Sequence, residues 1–159
     1  MYNFAPQNYI CPLCIPAQGL ENEHAMAKQA DIFYRDDLVF AMVNSKFIPG
    51  NEGHVILCPL AHYENIFDLP AEVESRIMEV AKRISIALKE VRKCDGVTLK
   101  QLNGPAAGQH AFHYHMHIIP RFTGDDYNKQ QAQTYVAPLE ERKNYADALR
   151  SHLARQNIG

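Results

Sequence analysis

Residues 113–120 read His-Tyr-His-Met-His-Ile-Ile-Pro, and no other stretch limits the fold as tightly. Imidazoles that alternate with large apolar side chains suit a β-strand, whose side chains point to opposite faces with period two. This reading sets His113, His115 and His117 on one face and leaves Tyr114, Met116 and Ile118 to join a core on the other. A single histidine on a strand is most often a satisfied surface or core residue. Three in strict alternation are costly unless something uses them, because each ring loses water and needs a partner. Two chemistries use such a row: a three-histidine metal site, as in zinc hydrolases, or one nucleophilic imidazole tuned by its neighbours.

The rest of the chain supplies a sheet for that strand. Apolar residues cluster at 32–34 and 38–43 around the turn-like Arg35-Asp36-Asp37, which predicts a hairpin. A turn-rich stretch at 47–53 leads into His54-Val55-Ile56-Leu57-Cys58-Pro59, a β-branched run expected as a central strand. Val73, Ile77, Val80, Ile84, Leu88 and Val91 recur at spacings of three and four, so one long helix follows, with Asp68 and Pro70 at its start and Asp95-Gly96 to stop it. Residues 97–102 read as another strand, residues 21–30 as a short helix and residues 139–155 as a C-terminal helix. Strands outnumber helices and short turns join them, which favours antiparallel pairing and an α+β class.

Bulk properties narrow the partners. The 159 residues suffice for one domain with a real core. A net charge of -2 lacks the basic footprint of a protein that coats a nucleic-acid polymer. No apolar run approaches the length of a membrane span, and MYNFAPQNYICPLC shows no basic stretch followed by an apolar one, so the expectation is a cytoplasmic protein without membrane contact. In a reducing compartment, Cys11-Pro12-Leu13-Cys14 suggests metal or redox chemistry before a disulfide. No βαβ context surrounds the pair, which argues against a thioredoxin-like role.

Gly104-Pro105-Ala106-Ala107-Gly108-Gln109 stands immediately before the histidine row. Glycines let backbone approach a ligand closely, and successive N–H groups in such a turn form an anion-binding nest. A phosphate-cradling loop beside a histidine row points to phosphoryl or nucleotidyl transfer. At this point the chain resembles the histidine-triad (HIT) family: His113-Tyr-His115-Met-His117-Ile-Ile119 fits its His-φ-His-φ-His-φ-φ signature, φ being apolar. Phe40-Ala-Met-Val-Asn44, Gly53-His-Val-Ile-Leu-Cys-Pro59 and the 104–109 loop follow in family order.

The resemblance implies a HIT-like α+β fold over residues 1–159: an antiparallel sheet of about five strands, one long helix across it and additional terminal helices. The core would span about 32–122, with an N-terminal zinc-anchored segment at 1–30 and a C-terminal helical extension at 123–159. It implies a hydrolase that cleaves nucleotidyl phosphoramidates or dinucleoside polyphosphates of purine nucleotides at the α-phosphate and releases a nucleoside monophosphate. His115 matches the nucleophile that carries the covalent nucleotidyl group, His117 the phosphate-contacting residue, and His54 and His113 the remaining family histidines. Asn44 stands where the ribose is held, and Asn103, Gly108, Gln109 and His110 where the nucleotide phosphates are gripped. Family transferases acting on sugar phosphates carry glutamine at the third histidine, so His117 matches the hydrolase pattern.

Two positions depart from the family. Leu102 replaces a polar amide, and His110 replaces a hydroxyl, reading either as a donor to the leaving group or as a solvated rim residue. In the branch with an N-terminal C-x-x-C, the resemblance implies a structural zinc on Cys11, Cys14, His62 and His113. It further implies a homodimer through the helix and an edge strand, and Mg2+ as an aid to polyphosphate substrates. The rival expectations are a mononuclear zinc hydrolase built on the histidine row and a non-catalytic nucleotide-binding regulatory module.

Overall fold

Every segment with a long apolar pattern takes the form that pattern predicts. The computed structural model describes residues 3–156, so the extreme ends of the N-terminal segment and of the C-terminal extension lie outside it. Strands β1 (Ile32–Arg35) and β2 (Val39–Val43) form the expected hairpin, closed by Asp36, whose Oδ1 accepts from the N–H groups of Leu38 and Val39 at 2.8 Å each. A short β3 (Lys46–Phe47) precedes β4 (Val55–Pro59), and β5 (Gly96–Gln101) and β6 (Met116–Arg121) complete a five-stranded sheet. Its order is β1-β2-β4-β6-β5, with every neighbouring pair antiparallel. This is the α+β HIT-like architecture.

Both faces of the sheet are covered, which is why β2 and β4 are buried along their whole length. Helix α2, over Ala71–Arg92, lays Val73, Ile77, Val80, Ala81, Ile84, Ala87 and Leu88 on one face, against Val39, Ala41, Val43, Val55 and Leu57. The alternate residues Phe40, Met42, Ile56 and Cys58 point the other way and pack on Leu13, Ala17 and Ala27 of the N-terminal segment. Tyr114, Met116 and Ile118 join the α2 side, as period two requires. His117 pairs in register with Ile56, so the histidine row belongs to the face away from α2. That face is shared by the N-terminal segment and a cleft.

Three local readings change. Residues 21–30 form no α-helix. Ala25 and Ala27 are buried while Met26 between them is exposed, a period of two, and Asn22 and Glu21 cap the backbone N–H groups of His24 and Gln29. The α-helix of that region is the single turn α1 at Cys14–Ala17. Helix α2 ends at Arg92 with Lys93 left-handed (φ 52°), ahead of Asp95-Gly96, while Lys89 Nζ donates to the carbonyls of Cys94 and Asp95. The strand expected from the histidine row at 113–120 begins only at Met116, so His113 and His115 precede it.

The C-terminal region, after a four-residue α3 (Tyr127–Gln130), adds β7 (Tyr135–Val136), paired with β3, and helix α4 (Leu139–Gln156). A buried ion pair pins α4: Arg142 Nη1 lies 2.7 Å from Asp31 Oδ2 and also donates to Ser45 Oγ at 2.9 Å. Gly53 is the tightest seat for this helix. Its φ is +74°, and a Cβ there would sit 2.8 Å from the Tyr145 ring. Gly53→Ala is therefore expected to lower unfolding free energy by about 2–4 kcal/mol, combining left-handed strain with overpacking. Urea denaturation measures this, and Tyr145→Ala in the same background should recover the steric part. A loss below about 0.5 kcal/mol would show that the helix seat is not rigid.

Candidate active site

The row of histidines divides at the start of β6. His113 is fully buried among Cys11, Cys14 and His62, whereas His115 and His117 line the cleft. The division follows from the backbone: Tyr114 N donates to Tyr63 O, so residues 111–115 leave the sheet before β6 begins. The row therefore supplies two sites separated by one residue, Tyr114.

At the first, the candidate ligand atoms of Cys11, Cys14, His62 and His113 all lie within 4.8 Å of one another. Cys11 Sγ is 3.4 Å and Cys14 Sγ 3.5 Å from His113 Nδ1, and Cys14 Sγ is 3.3 Å from His62 Nδ1. Tetrahedral zinc with ordinary Zn–S and Zn–N lengths would set such S···N separations at about 3.5 Å. His113 Nε2 lies 3.0 Å from the Pro59 carbonyl, which only accepts, so the proton sits there and Nδ1 keeps its lone pair toward the sulfurs. Burial and then Cys11 push the Cys14 thiol up to about 12, so Cys14 stays protonated unless a cation neutralises it. The residues present fit a metal.

At the second, His115 Nδ1 lies 2.7 Å from the His113 carbonyl oxygen. The carbonyl must accept, so Nδ1 carries the proton and Nε2 is left with a lone pair. The His115 and His117 rings stand 5.0 Å apart, and His54 is 5.8 Å from His117. Burial holds both His115 and His117 below the usual imidazole range, with His115, His54 and Lys100 adding to the effect on His117. Both rings are therefore neutral at pH 7.

Asn44 Nδ2 lies 2.6 Å from His54 Nε2. An amide NH2 only donates, so Nε2 accepts and Asn44 keeps its oxygen for a ligand.

Two cavities meet at the pair of cleft histidines. One, about 310 Å3, is walled by Pro12, Leu13, Met26, Ala27, Met42 and Ile56. The other, about 530 Å3, is more polar and includes Lys46, Lys100, His110, Gln131 and Thr134. Asn44, Lys46, Ala111, His115 and His117 border both. The first cavity is thus mainly apolar and the second polar, with His115 and His117 between them.

The loop residues are distributed unevenly. Gly108 (φ +86°) and His110 line the polar cavity. Gln109 is buried, its Oε1 accepting from Gly104 N and its Nε2 donating to the carbonyls of Glu64 and Ala111. Asn103 accepts from Ile66 N and exchanges bonds with Gln101. The side chains of Gln109 and Asn103 thus brace the loop, while its backbone meets the cleft.

The sequence and the overall fold match those of known proteins. A family model described as "HIT domain" matches residues 25–124. The chain belongs to the HIT domain family. It is 34% identical over 122 residues to a bis(5'-adenosyl)-triphosphatase of Dictyostelium discoideum, covering 77% of this chain and 80% of that protein. A bifunctional bis(5'-adenosyl)-triphosphatase/adenylylsulfatase of Arabidopsis thaliana is 33% identical over 119 residues, covering 75% of this chain and 64% of that protein. A zinc-bound histidine triad family protein from Mycobacterium smegmatis superposes with a TM-score of 0.76 at 26% identity, covering 93% of this chain and 96% of that one.

Sequence reasoning about this HIT domain missed the far walls of the cleft. Lys100 faces His117 directly in the β5–β6 register, a relation that appears only once the strands are paired. Tyr127, Gln131 and Thr134 come from a polar stretch with no periodicity, Leu13 from a segment read only for its cysteines, and Met26 from one read as a short helix.

His54, beside the two cleft histidines, carries a stability signature. His54 is 2% exposed, Nδ1 has no hydrogen-bond partner among the described residues, and burial lowers its pKa from 6.5 to about 4. Between those values the unfolded chain binds the proton and the folded chain does not, so stability falls as pH drops through that window. The expected loss is a few kcal/mol across that window. Urea titrations from pH 7 to 4 should show a shallower decline in His54→Gln; equal slopes would mean that this imidazole is protonated alike in both states.

Proposed function

We propose that this HIT-domain chain hydrolyses purine nucleotidyl phosphoramidates or dinucleoside polyphosphates at the α-phosphate, through a covalent nucleotidyl-His115 intermediate. The observation that carries the reading is the His115 Nδ1 to His113 carbonyl bond at the junction of the two cavities. It fixes the tautomer that leaves Nε2 nucleophilic and holds the acceptor that stabilises the imidazolium as charge develops. The base occupies the apolar cavity, the ribose hydroxyls meet Asn44 Oδ1, and the α-phosphate sits against His115, His117 and the backbone around Gly108, with Gln109 and Asn103 holding that loop in shape.

Nε2 of His115 forms an N–P bond as the bond from phosphorus to the leaving group breaks, its electron pair departing with that group. His110, on the cavity wall, stands on the leaving-group side. Water then attacks phosphorus, the N–P bond returns its pair to Nε2, and the nucleoside monophosphate is released. The names of the Dictyostelium and Arabidopsis relatives support hydrolysis at an adenylyl phosphorus.

We assign zinc to the Cys11, Cys14, His62 and His113 cluster in a structural role, because an ion bound there cross-links the N-terminal segment to the chain just before β6. Mg2+ gains no support, since no carboxylate lines either cavity. The three-histidine zinc hydrolase gains none either, because both ring nitrogens of His113 are engaged elsewhere. The free cysteines suit a reducing compartment such as the cytoplasm. Homodimer formation would cover the exposed Met78 and Ile86 of α2 and Leu99 of the edge strand β5.

The test is quenching in alkaline denaturant, which spares a P–N bond to imidazole, during turnover of adenosine 5'-phosphoramidate and diadenosine triphosphate. Labelled AMP should remain on the wild-type protein and not on His115→Ala. Turnover without any trapped label, together with an active His115→Ala, would defeat the nucleophile. Tight AMP binding with no turnover would favour a regulatory binding module.

A further inference from the structure

We infer that Lys100 and Lys46 make the polar cavity a reader of leaving-group charge, so that the preferred substrates are adenylyl compounds whose leaving group is a polyanion. The inference rests on the hydrolase reading above and narrows its substrate class. Lys100 lines the polar cavity alone, whereas Lys46 borders both cavities.

Three observations support it. First, Lys100 stands directly opposite His117 in the β5–β6 register, so its charge lies just beyond the α-phosphate seat, where a leaving group must pass. Second, neither lysine enters any ion pair among the described residues, and Lys100 Nζ meets only the neutral Gln131 Oε1, at 3.3 Å. Third, the chain has 18 acidic residues and a net charge of -2, yet none of the residues lining either cavity is acidic. Cations left unpaired in a carboxylate-free concavity focus positive potential on whatever enters. An ammonium is a compact point charge without a preferred planar partner, which suits a flexible chain of phosphates better than one fixed carboxylate.

The two substrate types separate on this basis. A dinucleoside triphosphate passes its adenylyl group to His115 Nε2 as the Pα–O bond breaks, and a nucleoside diphosphate leaves with the electron pair. A simple phosphoramidate breaks Pα–N instead, and the nitrogen takes the pair and a proton to leave as a neutral amine. Only the first places multiple negative charges beside Lys100 as the bond opens.

The experiment measures kcat/KM for diadenosine triphosphate and adenosine 5'-phosphoramidate, which present the same adenylyl group with a polyanionic or a neutral leaving group. Wild type should favour the triphosphate, and rising salt should shrink that preference. Lys100→Met should lower the ratio of the two values by about 10- to 100-fold, as for a lost charge-assisted contact, and Lys46→Met should lower it less. Lys100→Arg, which restores the charge, should recover most of the ratio. A ratio unchanged in Lys100→Met, with both substrates falling together, would mean that the lysine serves the shared α-phosphate and would overturn the inference. Wild type that turns over neither substrate would overturn the hydrolase reading and this one with it.

Discussion

His115→Ala is expected to lower hydrolysis of either adenylyl substrate by roughly 10⁴-fold or more, the scale on which removal of a covalent nucleophile acts when binding groups remain. The effect should fall mainly on kcat, because the apolar walls from Leu13 to Ile56 and the amide of Asn44 remain in place to hold base and ribose. His115 is half-buried and makes one hydrogen bond to a carbonyl, so the variant should keep a near wild-type thermal midpoint. Single-turnover kinetics with quenching in alkaline denaturant separates the two steps: no nucleotidyl-protein should form. A variant retaining a tenth or more of wild-type turnover would end the covalent mechanism.

Cys11→Ser should have the second large effect, and on a different observable. Wild-type protein purified without added zinc should carry about one equivalent of the metal, and the variant none. Loss of a structural metal removes binding energy that is also folding energy, so stability should fall by at least about 4 kcal/mol. Activity should fall as well, by about 10- to 100-fold, the usual scale for groups that orient a reacting ligand from one shell out. The coupling is a single residue: His113 gives its ring to the cluster and its carbonyl to His115 Nδ1. Metal analysis and thermal unfolding are the readouts that do not depend on turnover. Wild type without metal, or Cys11→Ser with a full equivalent, would refute the assignment.

Much of this molecule can be read from local pattern. The stripe from Val73 to Val91 became α2, the β-branched run ending at Pro59 became the central β4, and the Tyr114, Met116 and Ile118 positions entered the core as alternation requires. Each depends on the period of side chains along one segment, which is a property of the segment itself. The short helix expected at 21–30 failed for the complementary reason. Its composition suits a helix but carries no apolar stripe of helical period, and burial of Ala25 and Ala27, the latter against the back of the sheet, favoured an extended chain. Propensity worth tenths of a kcal/mol per residue yields readily to burial worth more.

The sequence by itself determined the kinds of chemistry present: a histidine row, a glycine-bearing loop and a cysteine pair, each recognisable because its residues are neighbours along the chain. The resemblance already implied that His113 and His115 serve different sites, and tertiary structure decided how that division is built. The parting of His113 from His115 at the start of β6, the choice of the His113 carbonyl as acceptor, and the placement of Lys100 across from His117 all arise from strand register and chain crossing. Those relations join residues from separate segments, and only packing of the whole sheet brings them within a few ångströms.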